Sequence, residues 1–447
     1  MTNTTTVKDE SKPFFSRYFL IDSVCAQVKG HNLVSLGHFR SLINNLTRRE
    51  SQTLCVASKH LLKTAEKSNL DHIDPVLSFY YGDIQLLSDE AGQRYYPSLY
   101  PYQIPIKMPF SVYKNSYSNA ELKCITVHHR EIEQLAHIEM TALLDKYQAG
   151  RQDCIFFPSA DIYAVTSIAK ILAEQHPSQS PVIIFKFIHV MEYWSPLFED
   201  SLEFIFLTIK ELLNQGHDIR ICTEAPGYSD YIQNKYALHS IPLPLPIPPS
   251  IEEGLQEFNC NSRIVLFPGT QRFDKGLARI PEIISKITEQ TGLSGAKFII
   301  QEPTHNDLNG SAEIYNEIMK YPNVIVLPSS IQGEKLRSLY FKSKCVCLPY
   351  CESTYDLFRS SGSYIEAASY CRPITATDCK GFSATFTKHR LGKLASSEVE
   401  IARSVINMLE WSIEDFLTHK SFIHSFFESI MSGYASLLSV NYNAASL

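Results

Sequence analysis

The 447-residue sequence predicts an α/β protein built from two doubly wound, parallel-sheet domains. Two observations carry this reading. Short apolar runs of strand length alternate with amphipathic helical stretches, first from Asp153 onward and again from Arg263 onward, as βαβ units with right-handed crossovers do. Between the two alternations lies HSIPLPLPIPPSIEEG, with five prolines from Pro242 to Pro249. Proline has no amide hydrogen and a fixed φ, so this segment reads as neither helix nor central strand and marks the domain boundary.

Length and composition agree. A chain of this size exceeds one ordinary core and suits two domains of roughly 200 residues. Hydrophobic residues make up 44% and charged residues 20%, as in a globular protein. The net charge of −6 and the lack of a long Lys/Arg run argue against nucleic acid as a partner. The polar start MTNTTTVKDESKPFFSRYF does not read as a signal peptide, and no run of 18 apolar residues suggests a membrane span. The eleven cysteines form no CxxC pair and read as reduced, buried thiols of a cytosolic protein. No Cys/His group has zinc-ligand spacing, and the pair His128–His129 lacks a third ligand.

In chain order, FFSRYFLIDSVC reads as a strand and KGHNLVSLGHFRSLINNLTRRE as a loop and an amphipathic helix. Residues 75–120, rich in Tyr, Pro and Ser, give no clear element. A helix is expected from Leu122 to about Gln148. DCIFFPS, PVIIFKFIHV and HDIRICTE follow as strands, with helices at Ile162–Gln175, Leu202–Gly216 and YSDYIQNKYAL. After the prolines, strands are expected at SRIVLFPG, AKFIIQ, NVIVLPSS, CVCLPY and RPITATD. Helices are expected at Leu277–Gln290, Ala312–Lys320, Gly333–Phe341 and Ser363–Tyr370, and a helical tail from Glu398. The expected domains are 1–245, 246–410 and a helical segment 411–447 that crosses back to the first.

The chemistry concentrates in CVCLPYCESTYDLFRSSGSYIEAASYCRPITATD. A buried strand ends at Pro349–Tyr350, and a loop leads through Arg359 to Ser361–Gly362 at a helix start. Free backbone amides and the positive end of the helix dipole make an anion site there. The Arg359 guanidinium adds a fork that matches phosphate oxygens. Glu366, one turn into that helix, is placed to accept from a ribose diol.

Taken together, Pro349, Tyr350, Arg359, Ser361, Gly362, Glu366, Ala367 and Pro373 resemble, in order and spacing, the donor segment of family 4 type glycosyltransferases, which have the GT-B fold of two Rossmann-like domains facing across a cleft. In the first strand and loop of the same domain, Gly269, Lys275 and Gly276 match. The family's arginine after the first glycine is Thr270 here, and Arg272 stands two residues on. The resemblance implies that Ser361 and Gly362 approach a donor diphosphate, that Arg272, Lys275 and Arg359 oppose its charge, and that Glu366 holds the ribose. In the first domain, Gly30–His31 resembles the family's cleft loop, and His189 ends a strand where relatives carry a cleft histidine. A second family glutamate, eight residues before Glu366, is replaced by Phe358, leaving Glu352 and Asp356 on the same loop as the candidate carboxylates.

What the resemblance implies is transfer of a sugar from a nucleotide-sugar donor to a glycan or glycolipid acceptor, with retention, at the cytosolic face of a membrane. No cofactor and no divalent metal are expected, because no DxD-type pair precedes the nucleotide loop and cations can hold the diphosphate. A sugar-nucleotide epimerase of the same fold and a catalytically silent partner subunit are the alternatives.

Overall fold

The computed structural model of the chain describes residues 14–25, 31–63, 70, 72–78, 119–188, 198–292, 295–303, 311–329, 331 and 333–440. Two parallel sheets organise it. The first has seven strands in the order β3-β2-β1-β4-β5-β6-β7. They are β1 (Arg17–Asp22), β2 (Gln52–Ser58), β3 (Ile73–Leu77), β4 (Asp153–Phe157), β5 (Val182–Phe187), β6 (Ile219–Thr223) and β7 (Ile241–Pro242). The second has six, in the order β10-β9-β8-β11-β12-β13. These are β8 (Ile264–Gln271), β9 (Lys297–Pro303), β10 (Val324–Leu327), β11 (Cys345–Leu348), β12 (Ile374–Thr377) and β13 (Gly392–Ala395). Each order runs outward in one direction and then reverses, between β1 and β4 and between β8 and β11. This is the doubly wound arrangement, with its ligand crevice beyond the reversal.

The central strands β4, β5 and β11 are buried at every position, which is why they read as continuous apolar runs. Along β1, Phe19 and Ile21 face one core, with Ile155 and Phe157 of β4. Tyr18 and Leu20 face another, so the strand period of two divides the apolar residues between the faces of the sheet. The helices of this half are α1 (His31–Leu46), α2 (Asn119–Tyr147), α3 (Ile162–Leu172), α4 (Phe198–Asn214) and α5 (Pro226–Tyr236). Asp161 caps α3, accepting from the Ala164 amide.

Strands β2, β3 and β13 were not anticipated from the sequence. QTLCVAS begins and ends on polar residues and GKLA has only four residues, and they pair with β1 and β12. The proline-rich segment begins on the edge strand β7, where Pro242 needs no amide donor. It continues to α6 (Ile251–Gln256), where the Gly254 carbonyl accepts from buried Arg372.

The second half adds α7 (Ile280–Thr291), α8 (Ser311–Ile318), α9 (Gly333–Lys342), α10 (Gly362–Ser369), α11 (Ser383–His389) and α12 (Glu398–Leu409). The last helix, α13 (Ile413–Leu437), opens with a capping box between Ser412 and Asp415. Its far end lies against the first sheet: Tyr434 donates to the Pro244 carbonyl at 2.8 Å and meets Phe39 edge-on. Beyond the helix, Tyr18 and Arg220 donate to the Leu438 and Ser439 carbonyls at 2.8 and 2.7 Å. No helix among the described residues is long and apolar enough to cross a membrane. The ten described cysteines are free, and eight of them are buried.

Candidate active site

The site forms where the loops after β8 and β11 meet, at the reversal of the second sheet. Pairing of β8 with β9 shifts register after Phe267, so the strand end swings out through Gly269 (φ +77°). A left-handed turn at Gly276 (φ +80°) closes the loop. A Cβ there would lie 1.7 Å from the Pro349 carbonyl oxygen, so only glycine lets the two loops touch.

Three cations gather around one carboxylate. Asp274, buried within the loop, accepts from Arg272 Nε at 2.9 Å and Nη2 at 3.0 Å. Arg359, arriving from the other loop, places Nη2 3.4 Å from the second Asp274 oxygen and lies over the Tyr355 ring at 4.8 Å. Burial pushes the Asp274 carboxyl up, but Arg272, Arg359 and Lys275 outweigh it and hold it below the ordinary range. Lys275 makes no ion pair among the described residues. Burial first, and Arg272 next, push its ammonium down to about 8, against the pull of Asp274 and Glu366.

The helix α10 stands beside this cluster. Ser361 is its N-cap, accepting from the Ser363 amide at 3.2 Å and donating to the Tyr350 hydroxyl at 3.1 Å. Gly362 begins the helix with open space at its α-carbon. Glu366 is half-buried and accepts from the Tyr340 hydroxyl at 3.0 Å. Burial raises its pKa, opposed by that hydrogen bond and by Lys275. The second half thus brings Gly269, Arg272, Lys275, Arg359, Ser361, Gly362 and Glu366 into one neighbourhood.

Other anticipated residues fall elsewhere. Glu352 is exposed and faces Arg279 at 3.5 Å, a guanidinium that also binds Glu398 at 2.6 Å and the Thr377 hydroxyl at 2.9 Å. Asp356 accepts from the Phe358 amide at 3.0 Å, and burial raises its pKa. Gly30 and His189 lie outside the described residues, and His31 opens α1 with its side chain outside them.

Three contributions were not anticipated. Asp274 was not singled out in the sequence, yet it orients both guanidiniums. Tyr340 comes from α9, remote in sequence, and no local signal ties it to Glu366. At the reversal of the first sheet, Asp22 accepts from Ser159 at 3.1 Å and from the Val24 and Cys25 amides, and Asp161 accepts from Ser23 at 3.2 Å. Burial raises these carboxyls to about 7 and about 6. Among the described residues no cluster of three or more His, Cys, Asp or Glu side chains is placed to hold a metal ion.

No family model matches the chain, and no curated protein matches it by sequence. Solved structures do match in fold. The N-terminal domain of Candida albicans trehalose-6-phosphate phosphatase superposes with a TM-score of 0.62 at 14% identity, covering 94% of this chain and 95% of that one. The UDP-forming α,α-trehalose-phosphate synthase of Burkholderia vietnamiensis gives 0.60 at 11%, covering 95% and 99%. A trehalose-6-phosphate protein of E. coli, bound with UDP-2-fluoro glucose, gives 0.59 at 10%, covering 94% and 98%. At these identities the likeness is one of architecture: the chain has the GT-B fold, two Rossmann-like domains facing across a cleft.

Proposed function

We propose that the chain is a glycosyltransferase that binds a nucleotide-sugar donor against the second domain and passes the sugar to an acceptor hydroxyl. The observation that carries this reading is the trio Arg272, Lys275 and Arg359 around Asp274, beside the first turn of α10, with the Lys275 ammonium unmatched. As the glycosidic bond breaks, negative charge grows on the departing nucleoside diphosphate. Preorganised cations and amides stabilise that charge more than they stabilise the bound donor, which accelerates the step. Glu366, held by Tyr340, accepts from the ribose hydroxyls. Two of the fold neighbours support this choice of ligand, one being UDP-forming and one bound with a UDP-sugar. We further read the transfer as retaining, the acceptor as a glycan or glycolipid met at the cytosolic face of a membrane, and the first domain, with Gly30, His31 and His189, as its acceptor side.

A second reading is a GT-B subunit without catalysis. Phe358 favours it, because it stands where the resemblance expects a carboxylate and its ring turns away into the first domain. Fold alone does not decide between them, since one neighbour is a domain of a protein named as a phosphatase.

A panel of UDP-, ADP- and GDP-sugars tests the proposal, read by thermal shift and by release of nucleoside diphosphate. A bound donor at a hundred times its dissociation constant stabilises by about 2.7 kcal/mol. Arg272→Ala or Lys275→Ala should cut donor affinity or turnover by about 10- to 150-fold, the equivalent of a charge-assisted contact of about 1.5–3 kcal/mol. Binding without turnover favours the silent subunit, and the absence of any binding defeats both.

A further inference from the structure

The loop after β11 is held by both domains, and consecutive residues divide the task. On the second domain, Tyr355 stacks on Tyr350 with ring centroids 4.3 Å apart, and Arg359 reaches Asp274 at 3.4 Å. Between them, Leu357 and Phe358 turn outward to α5 of the first domain. Phe358 inserts edge-on between Tyr228 and Tyr231, 5.1 Å from one ring centroid and 5.0 Å from the other. There it packs against the apolar core that α5 shares with β5 and β6. Leu357 lies so close over Gly227 that a Cβ there would come within 2.7 Å of its Cδ2. The turn is internally braced by the Phe358 amide donating to Asp356 at 3.0 Å.

One peptide bond therefore separates an interdomain contact from a cation of the donor site. We propose that Phe358 is a positioning residue: its seat between Tyr228 and Tyr231 couples the closure of the cleft to the placement of the Arg359 guanidinium against the donor diphosphate, an assignment that rests on the donor-site reading above. Two aromatic edges around a partly buried ring define one position of the loop. An opened cleft would pull the ring from its seat and drag Arg359 from Asp274. An aromatic residue at this position thus serves placement of the donor rather than contact with its sugar.

The test uses the full chain with UDP-glucose, ADP-glucose and GDP-glucose as probes, and small-angle scattering as a donor-independent readout. Phe358→Ala should enlarge the radius of gyration toward an opened cleft. It should also weaken affinity for the preferred probe at least tenfold, with the larger effect on KM than on kcat. Tyr231→Ala, at a half-buried surface position, should reproduce both changes and guards against misfolding of the first variant. Adding Arg359→Ala to Phe358→Ala should cost little beyond Arg359→Ala alone, whereas a merely structural defect would add fully. Phe358→Leu should recover part of the affinity, and Phe358→Glu should lose as much as Ala because a carboxylate cannot replace the apolar contact with the two rings. Unchanged scattering and probe affinity in both Phe358→Ala and Tyr231→Ala overturn the proposal, as does a gain of turnover in Phe358→Glu. If the wild-type chain binds none of the probes, the donor-site reading fails, while scattering still decides whether Phe358 holds the cleft.

Discussion

The ammonium of Lys275 lies over the bare α-carbon of Gly269, at a spot where an added Cβ would stand 2.5 Å from Nζ. The strand end and the lysine are six residues apart in sequence, and the register shift after Phe267 brings them together. Glycine leaves room for the cation to reach past the backbone toward α10, where Glu366 is near enough to act on its proton affinity. That relationship makes the charge of the site sensitive to pH.

Lys275 is depressed to about 8 by burial and by Arg272, so in the free protein it loses its proton as pH rises through that value. A bound diphosphate favours the ammonium and raises its pKa. Donor affinity should then be full below pH 8 and fall as pH rises above it, by up to about tenfold per unit, with a proton taken up on binding near pH 8. Calorimetric titrations of UDP-glucose in buffers of different ionisation enthalpy measure that uptake. Lys275→Met should abolish it and flatten the profile. A flat profile in the wild-type chain would place the lysine outside the donor contact.

Glu366→Ala should raise the KM for donor about tenfold or more while leaving kcat within a few-fold, because contacts to ribose change little as the glycosidic bond breaks. Tyr340→Phe, which removes the hydroxyl that holds the carboxylate, should show a weaker effect of the same kind. Steady-state kinetics with varied donor separates the two parameters. A fall in kcat with KM unchanged would assign Glu366 to the chemical step instead.

Gly276→Ala should damage the fold itself. Its left-handed φ costs about 1–2 kcal/mol for alanine, and the new methyl overlaps the Pro349 carbonyl, so a total near 3 kcal/mol is expected. For a domain of about 200 residues that unfolds as a unit, this corresponds to a melting temperature lower by about 6–12 °C. A melt within a degree of wild type would show that the two loops separate freely.

Turnover should persist in EDTA. In the proposed donor site Arg272, Lys275 and Arg359 supply the positive charge that a divalent ion would otherwise bring to the diphosphate. Loss of activity in chelator, restored by magnesium or manganese, would show that the cations do not suffice.

Sequence alone was enough to read two doubly wound sheets, the proline-rich passage between them and most helices of the second half. Buried parallel strands declare themselves as apolar runs, and amphipathic helices by their period. The loop read as the donor segment was equally legible as local structure, since its glycines, its serine cap and Arg359 are local in sequence and each serves a backbone or charge requirement that residue type alone can state. Tertiary structure decided what depends on distant partners. Strands β2, β3 and β13 were settled by pairing with their neighbours, which no local pattern states. Asp274 became the centre of the site only when Arg359 arrived from a loop eighty-odd residues away. Glu352, read as a candidate carboxylate, faces Arg279 because the fold puts that guanidinium beside it. Phe358 looked like a missing acid, and only the packing of two domains showed a ring seated between Tyr228 and Tyr231, because apolar surface takes the seat that the other domain provides and no spacing along one chain encodes where that seat lies.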